Sequence, residues 1–166
     1  MLDIHSHILP GLDDGVRDLE SAVALAAEAS AAGVEVIAAT PHVRIDFPTT
    51  RAQIAEGVDA VAAALAAHAI PLEVVGGAEV AMDWIPRVLD DDLPGYTLAR
   101  NGRYLLVEFP YEGWPRAAEL LLSELASRGV TAVLAHPERN DAVQESTTRL
   151  RVLTQSTGAL VQVTVA

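Results

Sequence analysis

His5 and His7 lie one residue apart in the run Asp3-Ile4-His5-Ser6-His7, with Asp13 and Asp14 following in Pro10-Gly11-Leu12-Asp13-Asp14-Gly15. Leu2, Ile4 and Ile8 give this segment a short apolar, strand-like character before the Pro-Gly break. Side chains at i and i+2 of a strand point the same way, so the two imidazoles share a face. Imidazoles converging at a strand end, with carboxylates a few residues on, form a donor set suited to a divalent metal. One of Asp13 and Asp14 is expected to be a ligand, and these residues alone leave open which.

The same residue types recur along the chain. Val34 to Ala39 is a β-branched run closing on Thr40-Pro41-His42, and Leu72 to Val75 leads to Gly76-Gly77-Ala78-Glu79. Tyr104 to Phe109 carries Glu108 near its end, and Val130 to Ala135 ends at His136-Pro137-Glu138-Arg139. Each of the first five expected strands therefore delivers a metal-type ligand at its C-terminal end: His5 and His7, His42, Glu79, Glu108, His136. In βα proteins that end of the strands is where active sites form. The remaining histidine, His68, falls within a helix and is expected to be structural or at the surface. A buried carboxylate such as Glu108 is costly without a cation, and Glu79 has the chemistry to bridge two ions.

Imidazole and carboxylate without sulfur suits zinc, manganese or iron. Six or more ligands exceed the needs of one ion, so two or three divalent metals are expected. Such a cluster can hold a phosphoryl group, generate hydroxide at neutral pH and stabilise a leaving oxygen. Arg139, three residues after His136, has the forked guanidinium that suits non-bridging phosphate oxygens.

The elements that must position these residues alternate. Helices are expected over Asp18 to Ala32 with Asp18 as N-cap, from Thr49 to about His68, near Trp84 to Leu89, over Trp114 to Arg128 and around Val143 to Thr154. Asp90 to Arg103 has the composition of a loop, and a last strand runs from Ala159 to Val165. Strand alternating with helix argues for parallel βα units. About six strands are too few for a closed eight-stranded barrel, so the expectation is an α/β fold with an incomplete barrel or open sheet.

Composition narrows the function. The chain has 166 residues, enough for one domain with a real core. A net charge of -12 argues against a general nucleic-acid surface. The absence of cysteine excludes disulfides, thiolate zinc sites and every cysteine-nucleophile phosphatase mechanism. No transmembrane or signal-like stretch is recognisable, so no membrane insertion and a cytoplasmic location are expected.

Asp3-Ile-His-Ser-His7, Leu12-Asp-Asp-Gly15, Thr40-Pro-His42, Gly77-Ala-Glu79, Tyr104-Leu-Leu-Val-Glu-Phe109 and Ala135-His-Pro-Glu-Arg139 together resemble the polymerase-and-histidinol-phosphatase (PHP) superfamily. More narrowly, they resemble its bacterial manganese-dependent protein-tyrosine phosphatases of capsule and exopolysaccharide loci. The resemblance implies a distorted, TIM-like βα barrel with a three-metal site, manganese foremost. It puts His5, His7 and Glu79 on one metal, Glu79, Glu108 and His136 on a second, and Asp14 and His42 on the third. Arg139 and Asp14 become the catalytic candidates, Arg139 by binding phosphate. Metal-held hydroxide would attack phosphorus directly, in a phosphotyrosine-bearing protein tail such as that of a capsule-assembly tyrosine kinase. The family pattern also includes a late Asp-x-His pair beyond Gln162-Val163-Thr164. No such pair occurs before Ala166, so residues 1–166 are expected to be one domain lacking the family's last strand and helix. An exposed apolar edge at Leu160 to Val165 would favour homo-oligomers. Two alternatives accompany this reading: a small-molecule phosphatase of the histidinol-phosphate type, and a catalytically weak metal-binding remnant.

Overall fold

Runs of β-branched residues alternate with alanine-rich stretches, and in the computed structural model, which describes residues 1–164, these become strands and helices in strict succession. The strands are β1 (Leu2–Ser6), β2 (Val36–Ala39), β3 (His42–Val43), β4 (Glu73–Gly76), β5 (Glu79–Ala81), β6 (Tyr104–Glu108), β7 (Thr131–Ala135) and β8 (Leu160–Gln162). The helices are α1 (Leu19–Ala31), α2 (Arg51–Ala67), α3 (Ile85–Asp90), α4 (Leu93–Tyr96), α5 (Ala118–Ser127), α6 (Asp141–Glu145) and α7 (Thr148–Thr157). Strands pair in the orders β1-β2-β4 and β3-β5-β6-β7-β8, and every pairing between them is parallel.

Six strands were expected and eight are present, because two of the six are interrupted. Thr40-Pro41 separates β2 from β3, and Gly77-Ala78 separates β4 from β5. Proline has no N–H to give a ladder. The Thr40 hydroxyl instead accepts from the Ser6 N–H at 3.0 Å. Gly77 N donates to Ala39 O at 2.9 Å and Glu79 N to Pro41 O at 3.1 Å, stitching the break. His42 and Glu79 thus begin short strands of their own, opposite each other in register, rather than trailing from longer ones.

Local chemistry sets the helix ends. Asp18 accepts from Ser21 N at 2.8 Å, capping α1 as its sequence suggests. Thr50, not Thr49, caps α2 in a reciprocal capping box with Gln53. Thr49 is buried, its hydroxyl facing the Leu12 carbonyl. The expected loop at 90–103 contains α4, with Pro94 in its first turn, where a missing N–H costs nothing. The single helix expected at 143–154 is two, because Ser146 is extended between α6 and α7. Strand β8 stops at Gln162, and Val165 lies outside the described residues.

Leu105, Val107, Leu122, Leu125 and Leu134 are fully buried between α5 and the β6–β7 pair. Each such side chain contributes about 1.5–3 kcal/mol through removal from water. With all strands parallel, their C-terminal ends open on one side, and the chemistry-bearing residues gather there. No helix among the described residues is long and apolar enough to cross a membrane.

Candidate metal centre

Glu79 is the centre of the site. Its side chain is fully buried at the start of β5. Oε1 lies 2.7 Å from His136 Nε2. Oε2 faces three further imidazoles: His5 Nε2 at 3.2 Å, His42 Nδ1 at 3.2 Å and His7 Nε2 at 3.4 Å. Four of the five histidines therefore converge on one carboxylate, and His68 stays apart, bonded to the Ala64 carbonyl of its own helix.

The backbone that presents these groups is specialised. The β1 strand carries His5 and ends at Ser6, so His7 leaves the sheet at the turn that follows. A Cβ built on Gly15 would collide with the His7 carbonyl oxygen and Cβ, so only glycine lets the Asp13–Gly15 turn lie against His7. His136 adopts φ 34°, ψ 47°, a left-handed conformation uncommon for a non-glycine residue and disfavoured ahead of proline. Such strain, about 1–3 kcal/mol, persists where surrounding structure holds it. Here the His136 N–H donates to Gln162 O at 2.8 Å, and Gln162 Oε1 meets His5 Nδ1 at 3.2 Å.

Asp13 and Asp14 occupy different places. Asp13 Oδ2 lies 2.6 Å from His7 Nδ1 and accepts from the His42 N–H at 2.9 Å, while Oδ1 accepts from Gly15 N at 2.9 Å. All its acceptor capacity toward the site is spent on orienting neighbours. Asp14 is exposed, lines the cavity and brings Oδ1 to 3.5 Å from His42 Nε2. This geometry favours Asp14 as a ligand and gives Asp13 the supporting role of fixing the His7 tautomer.

Glu108 sits at the edge of the cluster. Its Oε2 is 3.7 Å from His42 Nδ1, and Arg44 Nη1 donates to its Oε1 at 3.0 Å. Arg139 lines the same cavity as His5, His7, Asp14, His42, Glu79 and His136, which has a volume of about 420 Å³.

The electrostatics match a cation site. Burial would raise the Glu79 carboxyl, but the hydrogen bond from His136 and the nearby His5 and His7 imidazoles outweigh it and hold it far below the usual carboxylate range. Burial would lower His7, yet Asp13 and Glu79 together raise it to about 10. At His42, which lacks a second carboxylate partner of that quality, burial dominates and lowers the pKa. Three sets of side chains bring ligand atoms within 4.8 Å of one another: His5, Glu79 and His136; His7, His42 and Glu79; His7, Asp13 and Asp14. Glu79 Oε2 and His42 Nδ1 are buried without a well-formed hydrogen bond. A buried carboxylate oxygen ringed by imidazole nitrogens, with no such bond of its own, fits a divalent ion.

Sequence reasoning missed four contributors. Arg44 holds Glu108, Tyr111 stacks on His136 with ring centroids 5.8 Å apart, Gln162 props His5, and Asn140 ties down the loop bearing Tyr111. Only Arg44, two residues after His42, carried any signal, that of a cation near a ligand.

A parallel α/β scaffold with imidazoles and carboxylates gathered on one side has the fold of the PHP type and a donor set that could hold metal. The chain belongs to the capsular polysaccharide synthesis CpsB/CapC family, whose model matches residues 1–166. It is 36% identical to the tyrosine-protein phosphatase YwqE of Bacillus subtilis over 99% of this chain and 64% of YwqE. The tyrosine-protein phosphatase CpsB of Streptococcus pneumoniae is also 36% identical, over 92% of this chain and 63% of CpsB. Crystal structures of YwqE and CpsB, described as unique metal-dependent tyrosine phosphatases, provide a chain that superposes with a TM-score of 0.90 at 34% identity, covering 98% of this chain and 66% of that one. The chain thus spans just under two thirds of the length of these curated relatives.

Proposed function

We propose that the chain carries the metal centre of a protein-tyrosine phosphatase acting in capsule or exopolysaccharide synthesis. The observation that supports this most is the Glu79 carboxylate, whose two oxygens meet four imidazoles from three different strand ends. His5, His7 and Glu79 would hold one ion; Glu79, Glu108 and His136 a second; Asp14 and His42 a third. Manganese is the ion the family resemblance favours. Bound there, divalent metal supplies Lewis acidity and a hydroxide nucleophile at neutral pH.

The chain's own residues do the rest. Asp13 keeps His7 in one tautomer, with Nε2 turned toward Glu79. Glu79, buried among imidazoles, stays ionised. Arg139 binds the non-bridging oxygens of the phosphoryl group and offsets charge that an acidic protein would otherwise repel. Asp14, exposed in the cavity lining beside His42, would add a carboxylate to the metal-holding set. The substrate would be a phosphotyrosine in a flexible tail, such as that of a capsule-assembly tyrosine kinase, met in the cytoplasm by a chain able to self-associate. The family names of the relatives favour this over a phosphometabolite substrate.

Hydrolysis of an aryl phosphate in the presence of manganese tests the proposal. Activity should be abolished by chelator and indifferent to thiol reagents. Arg139→Ala should impair turnover with metal content nearly intact, whereas Glu79→Ala should lose both. Full turnover by Arg139→Ala would refute its phosphate role. A parent protein that binds manganese but never hydrolyses aryl phosphate would refute the activity.

A further inference from the structure

Beside the metal cavity lies a larger cleft of about 640 Å³, and the Tyr111 side chain lines both. Its walls come from Met82, Pro110, Trp114, Pro115 and Leu121. We propose that this cleft is a second substrate subsite, which takes an apolar side chain of the polypeptide whose phosphorylated residue occupies the metal cavity. The inference rests on the phosphatase reading above and adds to it a reason for choosing polypeptide substrates.

Three observations carry it. The first is continuity. Glu108 and Tyr111 separate the two spaces, so a polypeptide leaving the metal cavity on this side crosses the Tyr111 ring and enters the cleft. Neighbouring same-face side chains of an extended chain are about 6.6 Å apart, so the occupant is a residue close to the phosphorylated one. A small phosphometabolite would leave the cleft unfilled.

The second is chemistry. Arg44 and Arg116 on the rim are opposed by Asp83, Glu108 and Glu112, and Arg44 is already engaged by Glu108 at 3.0 Å and Asp46 at 2.8 Å. Asp83, Glu112 and Arg116 mix both signs around the rim, so the cleft presents no single-sign field to select an ionic side chain. Its aromatic, proline and methionine surfaces favour an apolar one.

The third is rigidity. Asn140 Nδ2 donates to Pro110 O at 2.7 Å and Gly113 O at 2.8 Å, and Gly113 N donates to Asp141 Oδ1 at 2.8 Å. Trp114 packs edge-on against Phe109 at 5.5 Å and lies under the Arg149 guanidinium at 4.9 Å. The cleft is formed before any ligand arrives, which lowers the ordering cost of binding.

The test uses Ala117→Trp, which places a large side chain in the cleft from an exposed lining position away from the metal ligands. Phosphotyrosine peptides of glycine and serine carry a single leucine, moved through the positions flanking the phosphotyrosine. The parent should prefer one leucine position by about tenfold in kcat/KM, the scale of one apolar side chain in a pocket. Ala117→Trp should abolish the preference and leave hydrolysis of free phosphotyrosine unchanged. The same peptides with a non-hydrolysable phosphonate in place of the phosphate are measured by calorimetry. Turnover without any leucine preference, or a preference unchanged in Ala117→Trp, would overturn the subsite. Leucine-dependent phosphonate binding with no turnover of any phosphopeptide would retain the subsite and overturn the phosphatase reading.

Discussion

Arg44 Nη1 lies 3.0 Å from Glu108 Oε1, while Glu108 Oε2 turns toward His42 Nδ1 at 3.7 Å. One carboxylate thus faces a guanidinium on one side and the imidazole cluster on the other. Burial would lower the Arg44 pKa, but Glu108 and Asp46 raise it, so the guanidinium stays charged. Arg44 is thereby a positioning residue for Glu108. Arg44→Gln should weaken manganese binding about 10- to 100-fold, the usual cost of removing a group that orients a ligand. Arg44→Lys should recover only part of it, since a point charge does not reproduce the fork. Titration calorimetry with the metal alone checks this, and unchanged affinity in Arg44→Gln would refute it.

Metal removal should expose opposite pH limits of stability. His7 is raised to about 10 in the metal-free fold, so its contribution is present below its ordinary 6.5 and is lost as pH rises toward 10. Glu79 is depressed, so its contribution is present above its ordinary 4.5 and is lost as pH falls below it. Thermal melts in chelator should therefore fall at both ends of that window. Manganese should remove the alkaline loss, because it takes the place of the His7 proton. Calorimetry at neutral pH in buffers of different ionisation enthalpy should register proton release on metal binding. A metal-free melting temperature that does not change between pH 7 and pH 10 would contradict the His7 assignment.

Gly15→Ala should damage the site through His7. The added Cβ meets the His7 backbone, which cannot rotate away as a side-chain tip could. Overpacking of this kind costs about 1–3 kcal/mol. The expected result is a folded protein with a lowered melting temperature and less metal per chain. Full metal content in Gly15→Ala would show that the turn can shift without moving His7.

Asn140→Ala removes two donors and one acceptor from a fully buried position, since Asn140 Oδ1 also accepts from Val143 N at 2.9 Å. Stranding these three backbone groups should cost at least about 3 kcal/mol, as each unsatisfied group contributes about 1–3 kcal/mol. Tyr111 should become mobile and Arg139, the adjacent residue, displaced. Denaturant unfolding gives the stability change, and proteolysis within 110–114 reports the loosened loop.

The clustering of histidines around Glu79 was legible in the sequence because strand ends are written in residue types: β-branched runs that stop at histidine or glutamate mark both an element and its chemistry. His5, His7, His42, Glu79 and His136 meet around one point, as their positions suggested. Asp13 and Asp14 are alike in sequence and separate only in space, Asp13 accepting from the N–H groups of Gly15 and His42 and Asp14 lying exposed at the cavity. The strand ends before Thr40-Pro41 and Gly76-Gly77 were visible, but the resumption of pairing in β3 and β5 was not, since strands of two and three residues are too short to leave a periodic pattern. Arg44, Tyr111 and Asn140 act through contacts 25 to 64 residues away in sequence, beyond the reach of any local pattern.

Those interruptions also carry a mechanical consequence. His5 belongs to the β1-β2-β4 sheet and His7 directly follows its first strand, whereas His42 and Glu79 belong to the β3-β5-β6-β7-β8 sheet and His136 directly follows β7. The candidate metal centre therefore straddles a seam, and ions held there would act as rivets between two plates. Stripped of metal, the plates should flex about Thr40-Pro41 and Gly77-Ala78. Amide hydrogens at Gly77 and Glu79, which flank the Gly77-Ala78 break on either side of the seam, should then exchange faster while those within β6 and β7 keep their protection.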